Sequence, residues 1–144
     1  MSDGTTTPAE SRSAPGRAVP EWWWPVAGLI VGVWAALPRW VTPAINTSDR
    51  AEFADHVVPS MVLITVSIVT LVVLRRSPES SSFMFVAGLV LVLAGLWMFA
   101  THVPLVAQAL RDEAPWGATI YHSTNALTVL IFGILWTAAH WNDI

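Results

Sequence analysis

Residues 83–103 read FMFVAGLVLVLAGLWMFATHV, 21 positions in a row without Asp, Glu, Lys or Arg. At a rise of about 1.5 Å per residue, a helix of this length covers about 30 Å, which is the thickness of the hydrocarbon layer of a bilayer. The stretch shows no alternation of apolar and polar residues, and a backbone in hydrocarbon must satisfy its own hydrogen bonds. It therefore predicts a transmembrane helix.

Three more apolar runs flank this one. Together the four runs predict helices at about 22–41, 51–74, 83–104 and 119–141. Because the connections between them are short, helices that follow one another in sequence should be antiparallel. The sequence thus predicts an all-α integral membrane protein, with a four-transmembrane-helix antiparallel bundle over residues 21–144.

The first 20 residues have a different composition. They are rich in Ser, Thr, Pro, Ala and Gly with scattered charges. Such a segment buries too little apolar surface to offset the entropy lost on ordering. Residues 1–20 are therefore predicted to form a disordered tail.

The composition of the whole chain excludes several classes of protein. Its 144 residues are 54% hydrophobic and 12% charged, with a mean hydropathy of +0.57, which leaves too little polar surface for a water-soluble enzyme. The absence of Cys excludes disulfides, Cys-ligated zinc and iron–sulfur clusters. All seven basic residues are Arg and the net charge is -3, so no nucleic-acid partner is expected.

The distribution of Arg predicts the orientation. Arg75 and Arg76 lie in the short loop between the second and third helices, and Arg12 and Arg17 lie in the tail. The positive-inside rule places these segments in the cytoplasm. We therefore predict a multi-pass protein of the cell (plasma) membrane with both termini cytoplasmic. The bias amounts to one charge, because the outer segments carry the other three Arg.

Small residues predict where helices approach closely. Gly28 and Gly32 are spaced by four in the first helix, and the third helix has Gly88 and Gly95 spaced by seven, each preceded by Ala. Small residues allow membrane helices to come close together. The pair in the third helix favours packing inside the bundle. For the first helix, the alternative that Gly is simply common in membrane helices is equally open. If the protein is a transporter, an oligomer would form through the Gly28 and Gly32 face.

The histidines carry the only chemical signal. In an antiparallel bundle His56, His102 and His122 lie at similar depth near the outer end, and helical phase turns each toward the interior. Glu52 and Asp55 are the candidate carboxylates beside them. His140 lies at the opposite edge and is predicted to be an interfacial anchor.

Two prolines lie close to these histidines. Pro59 would free the carbonyl of Asp55, and Pro104 would free that of Ala100. If both lie within helices, their kinks would open a pocket at the level of the histidines. The alternative is that they mark helix ends near the interface.

Four uses of the histidines are open from the sequence. Three imidazoles and a carboxylate suit Zn, Cu or non-haem Fe, for which His56, His102, His122, Glu52 and Asp55 are the predicted ligands. Two imidazoles on facing helices could instead bracket a b-type haem. A quinone or proton role is a third use, and hydrogen bonds between helices without any ligand are the fourth.

The functional prediction follows from the small size of the soluble part. The chain is predicted to be an accessory or cofactor-binding component of a membrane complex, in contact with lipid and with other membrane subunits or a second copy of itself. One alternative is a self-contained metal- or haem-binding redox protein that uses the histidines. A second is an oligomeric transporter protomer, since four helices are few for a pathway in a monomer.

Overall fold

A computed structural model of the chain describes residues 19–37, 49–77 and 81–143. Within these ranges the backbone forms four helices and no strand. Helix α1 is Trp23–Ala36, α3 is Ser81–Ala109 and α4 is Trp116–Ala139. Helix α2 consists of three stretches that follow one another, Asp49–Glu52, a π-helical turn Phe53–Val57, and Val58–Arg76. A short 3-10 turn, Trp141–Asp143, follows α4. The prediction of an all-α, membrane-compatible bundle is confirmed.

Three of the four helices are long and apolar enough to cross a membrane. These spans are Phe53–Arg76, Ser82–Ala109 and Trp116–Ala139. Helix α1 has 14 residues, which gives about 21 Å and falls short of the hydrocarbon thickness. It ends before the predicted boundary at residue 41, and residues 38–48 lie outside the described part, as do residues 1–18 of the predicted tail.

Contacts between α3 and α4 show that these helices are antiparallel. Gly88 faces Thr137, and Gly95 faces Leu130. A β-carbon placed on Gly95 would lie 2.5 Å from the Leu130 Cα, and one on Gly88 would lie 2.8 Å from the Thr137 backbone nitrogen. Only glycine permits such an approach, because a side chain would overlap the backbone of the other helix. The predicted close packing of the third helix is confirmed.

Helices α1 and α2 are antiparallel by the same criterion. Gly28 lies against Ser67, and Gly32 lies against Leu63 and Ile64. Both glycines are buried inside the bundle. The suggestion that their face serves an oligomer is therefore wrong for this fold, because a helix of the same chain covers it. The spacing of small residues identifies a contact surface but not the helix that occupies it.

The middle of the bundle is apolar. Leu63, Leu91 and Val129 have no exposed surface and come from α2, α3 and α4. We call these three residues the apolar layer. They separate two ends of the bundle: the histidine end, which contains His56, His102 and His122, and the arginine end, where α2 finishes with Arg75 and Arg76.

Both prolines lie inside helical segments rather than at helix ends. Pro104 is within α3, which continues to Ala109. Pro59 is the second residue after the π-helical turn of α2. A π turn is one way in which a helix accommodates a disrupted hydrogen bond, and such turns are frequent at functional sites. The turn holds Asp55 and His56.

Candidate metal centre

Three histidines from three helices meet at the histidine end. His56, His102 and His122 each offer one ring nitrogen, and these nitrogens all lie within 4.8 Å of one another. The ring centroid of His56 is 5.0 Å from that of His102 and 5.1 Å from that of His122. All three side chains are buried. We call this group the histidine cluster, and the sequence-based expectation that the three converge agrees with this geometry.

The backbone sets the tautomer of His102. Its Nδ1 lies 2.6 Å from the carbonyl oxygen of Met98, one turn earlier in α3. A carbonyl can only accept, so Nδ1 carries a hydrogen, and in the neutral ring Nε2 is the nitrogen with the free lone pair. The Thr101 hydroxyl donates to the same carbonyl at 2.9 Å. A ring whose other N–H is held by a carbonyl is the usual arrangement of a metal-ligating histidine.

His56 lies in the π-helical turn of α2 and is only 2% exposed. Its Nε2 is 3.1 Å from Nδ1 of His122, so one of these nitrogens donates and the other accepts. The Ser60 hydroxyl donates to the His56 carbonyl oxygen, one turn earlier in α2, at 2.5 Å. The His56 ring thus lies inside the bundle, and its backbone carbonyl has a hydrogen-bond partner.

His122 lies on the inward stripe of α4, together with Asn125, Ala126 and Val129. Its Nε2 has no hydrogen-bond partner among the described residues. Buried polar groups of this kind are normally hydrogen-bonded, and leaving one unpaired costs about 1–3 kcal/mol. The histidine cluster therefore contains a buried ring nitrogen without a hydrogen-bond partner among the described residues.

The candidate carboxylates are less well placed than the histidines. Asp55 is half-buried next to Thr101 and His102, but it does not belong to the set of ligand atoms that converge. The side chain of Glu52 lies outside the described part of the structure. The Tyr121 ring meets the His122 ring edge to face, with centroids 6.2 Å apart. Asp55 and Glu52 as ligands therefore remain predictions.

His140 belongs to the arginine end. Its Nδ1 donates to the carbonyl of Trp136 at 2.8 Å, and its ring packs against Trp24. It is buried inside the bundle, so it contacts protein rather than serving as an exposed interfacial anchor. The sequence placed it at the correct end but could not show that Trp24 of α1 covers it.

The geometry favours a single ion over a haem. Two imidazole nitrogens bound to one tetrahedral ion lie about 3.3 Å apart when each metal–nitrogen bond is about 2.0–2.1 Å. The separation of 3.1 Å between His56 and His122 is close to that value, and a ligand atom up to 4.8 Å away would have to move by about 1.5 Å. A haem needs a flat gap between its axial imidazoles, whereas these two rings touch.

Sequence motifs missed the groups that complete this centre. The Met98 carbonyl is a backbone atom, so no residue type in the sequence indicates it. Comparisons of the chain with protein-family models, curated proteins and solved structures gave no match. Function therefore has to be argued from the geometry of the site.

Proposed function

We propose that this chain is a small membrane metalloprotein whose histidine cluster binds one transition-metal ion. The observation that carries the proposal is the convergence of three buried ring nitrogens, from three helices, within 4.8 Å. Neutral imidazole is a ligand preferred by Zn, Cu, Fe and Ni. As part of the same proposal, the protein works as a subunit of a larger membrane complex, in contact with lipid and with other subunits. Co-purification of other membrane proteins with this chain tests that part.

The ion would link helices that otherwise meet through few polar contacts. The three histidines come from α2, α3 and α4, so one ion would join three helices. This is the end of the bundle that contains Pro59 and Pro104. The hydrogen bond from His102 to Met98 would hold one ring ready before the ion arrives. The bound ion would supply a Lewis acid or, for Cu or Fe, a redox centre.

Metal analysis of purified protein tests the proposal. We expect the protein in detergent, incubated with Zn²⁺ or Co²⁺ and freed of excess ion, to retain about one ion per chain. His102→Ala should weaken binding by more than about 100-fold, because losing even a residue behind the ligands costs 10- to 100-fold. The measurement is elemental analysis together with a Co²⁺ titration followed by absorbance.

His140→Ala is the matched control, because it removes an equally buried histidine at the arginine end. It should leave the stoichiometry and the affinity unchanged. His102→Gln is a second variant, and circular dichroism shows whether each variant remains folded. Failure of the wild-type protein to bind any ion, or equal loss with His140→Ala and His102→Ala, would contradict the proposal.

The orientation in the membrane is a separate proposal. We infer that the arginine end faces the cytoplasm of a cell with this protein in its plasma membrane, so that both termini are cytoplasmic and the histidine end faces outward. Arg75 and Arg76 at the end of α2 support this, because cytoplasmic loops carry an excess of Arg and Lys. The exposed Trp116, at the start of α4, and Trp141, just beyond its end, suit the two interfaces of a bilayer.

Cysteine labelling tests the orientation without interference from native cysteines. We expect Glu113→Cys in intact cells to react with a membrane-impermeant maleimide. Ser80→Cys should react only after the membrane is made permeable. The Glu113 side chain is exposed and its only described ion pair is with Arg111, so the substitution should cost little stability. Labelling of Ser80→Cys from outside would reverse the assignment.

A further inference from the structure

Asn125 is the most completely buried unpaired amide in the described part of the chain. It is 1% exposed, and neither its Nδ2 nor its Oδ1 has a hydrogen-bond partner among the described residues. Enclosing a carboxamide without partners is unfavourable, because no hydrogen bond replaces those that its donor and acceptor made with water. In a membrane-embedded bundle the penalty is not relieved by bulk water. We therefore expect a small polar ligand to bind beside the Asn125 side chain.

The position of Asn125 along α4 indicates where this small ligand would bind. It follows His122 by three residues on the same inward stripe of α4, which places it about 4.5 Å further along the helix axis. Beyond Asn125, toward the arginine end, the stripe becomes apolar at Ala126 and Val129. Asn125 is thus the buried polar residue of α4 that lies one turn from His122 on the side of the apolar layer.

Among the described side chains, the donor count leaves one position of a tetrahedral ion to fill. The converging ligand atoms among the described side chains are three histidine nitrogens and no carboxylate. Protein metal sites with three ligands and an open fourth position bind water or substrate there, whereas structural sites are closed by a fourth side chain. A carboxamide has both a donor and an acceptor, which is what a bound water or a small anion requires.

We propose that the fourth ligand of the ion is a small exogenous molecule, water in the resting protein, and that Asn125 positions it. This inference rests on the proposed metal site. It makes the site an open centre that can exchange a small ligand such as water, hydroxide or a monovalent anion. Asn125 is a positioning residue here, since it acts on the exogenous ligand and not on the ion.

Azide binding to the Co²⁺-loaded protein tests this inference. In the wild-type protein, azide should change the visible absorbance of Co²⁺ with saturation at one azide per ion. Asn125→Leu should retain Co²⁺ within a few-fold of the wild-type affinity but weaken azide binding by at least tenfold. Asn125→Gln, which keeps the carboxamide, should recover part of that loss. Thr124→Val is the matched control, because Thr124 lies next to Asn125 in α4 but is exposed, and its hydroxyl donates to the Ile120 carbonyl.

The outcomes separate this inference from the metal site itself. If the wild-type protein binds Co²⁺ but its spectrum does not respond to azide, the site is closed and the inference is wrong while the metal site stands. Equal azide affinity in the wild-type protein and Asn125→Leu would also overturn it. Asp55→Asn should leave Co²⁺ affinity within a few-fold, and a loss of about 100-fold would assign the fourth position to Asp55 instead. A wild-type protein without Co²⁺ would refute the proposed function as well.

Discussion

Gly95→Leu is expected to destabilise the folded bundle strongly in detergent. A β-carbon at this position would already lie 2.5 Å from the Cα and 2.6 Å from the backbone nitrogen of Leu130. These are backbone atoms, so the overlap cannot be relieved by a side-chain rotation and α3 must move away from α4. Overpacking of this kind costs about 1–3 kcal/mol and sometimes more. The loss should appear as a lower midpoint of thermal unfolding followed by circular dichroism.

Gly117→Leu is the control for this substitution. Gly117 is also helical, but no atom lies within 4 Å of a β-carbon built there. The variant should unfold at nearly the same temperature as the wild-type protein. Gly95→Ala should fall between the two. If Gly95→Leu and Gly117→Leu unfold at the same temperature, α3 and α4 do not meet through this surface.

Trp136→Ala is expected to have the second large effect. Trp136 has no exposed surface, and its Nε1 donates to the Met84 carbonyl of α3 at 2.9 Å. Its ring also contacts Phe132 and Trp24, with centroids 5.7 and 6.3 Å away. The side chain therefore joins α1, α3 and α4. Replacing a buried Trp by Ala costs about 3–5 kcal/mol in the free energy of unfolding.

Trp97→Ala provides the comparison. Trp97 lies in α3 but is 57% exposed on the outside of the bundle. Lipid or detergent chains would fill the space that the Trp97 side chain leaves, and they are as apolar as that side chain. Trp97→Ala should therefore change the free energy of unfolding little. Unfolding by titration with a denaturing detergent, followed by circular dichroism, gives both values. Equal losses for the two variants would mean that Trp136 does not hold the helices together.

The fold was largely predictable because hydrocarbon allows few backbone structures. The run at 83–103 is long, apolar and uncharged, and such a segment can only be a helix. Boundaries were harder: α3 begins at Ser81 and continues through Pro104 to Ala109. A proline ends a helix or bends it according to the packing of its neighbours, which a single sequence does not contain.

The candidate site was predictable in its histidines and not in its details. Antiparallel order and helical phase place His56, His102 and His122 together, because both follow from counting residues along helices. The π-helical turn at Phe53–Val57 changes the phase locally, and the hydrogen bond from His102 to the Met98 carbonyl uses a backbone atom. Neither leaves a pattern in the sequence, since both depend on how the helices settle against each other.

The apolar layer also bears on how an ion at the histidine cluster would respond to the membrane potential. Leu63, Leu91 and Val129 are fully buried between the two ends, so an ion at the cluster would exchange with the compartment on one side only. Moving a unit charge across the whole membrane potential involves about 2.3 kcal/mol per 100 mV. An ion that enters and leaves at the same end crosses only a small part of that field. Its occupancy would follow the ion concentration of that compartment and be nearly independent of membrane voltage.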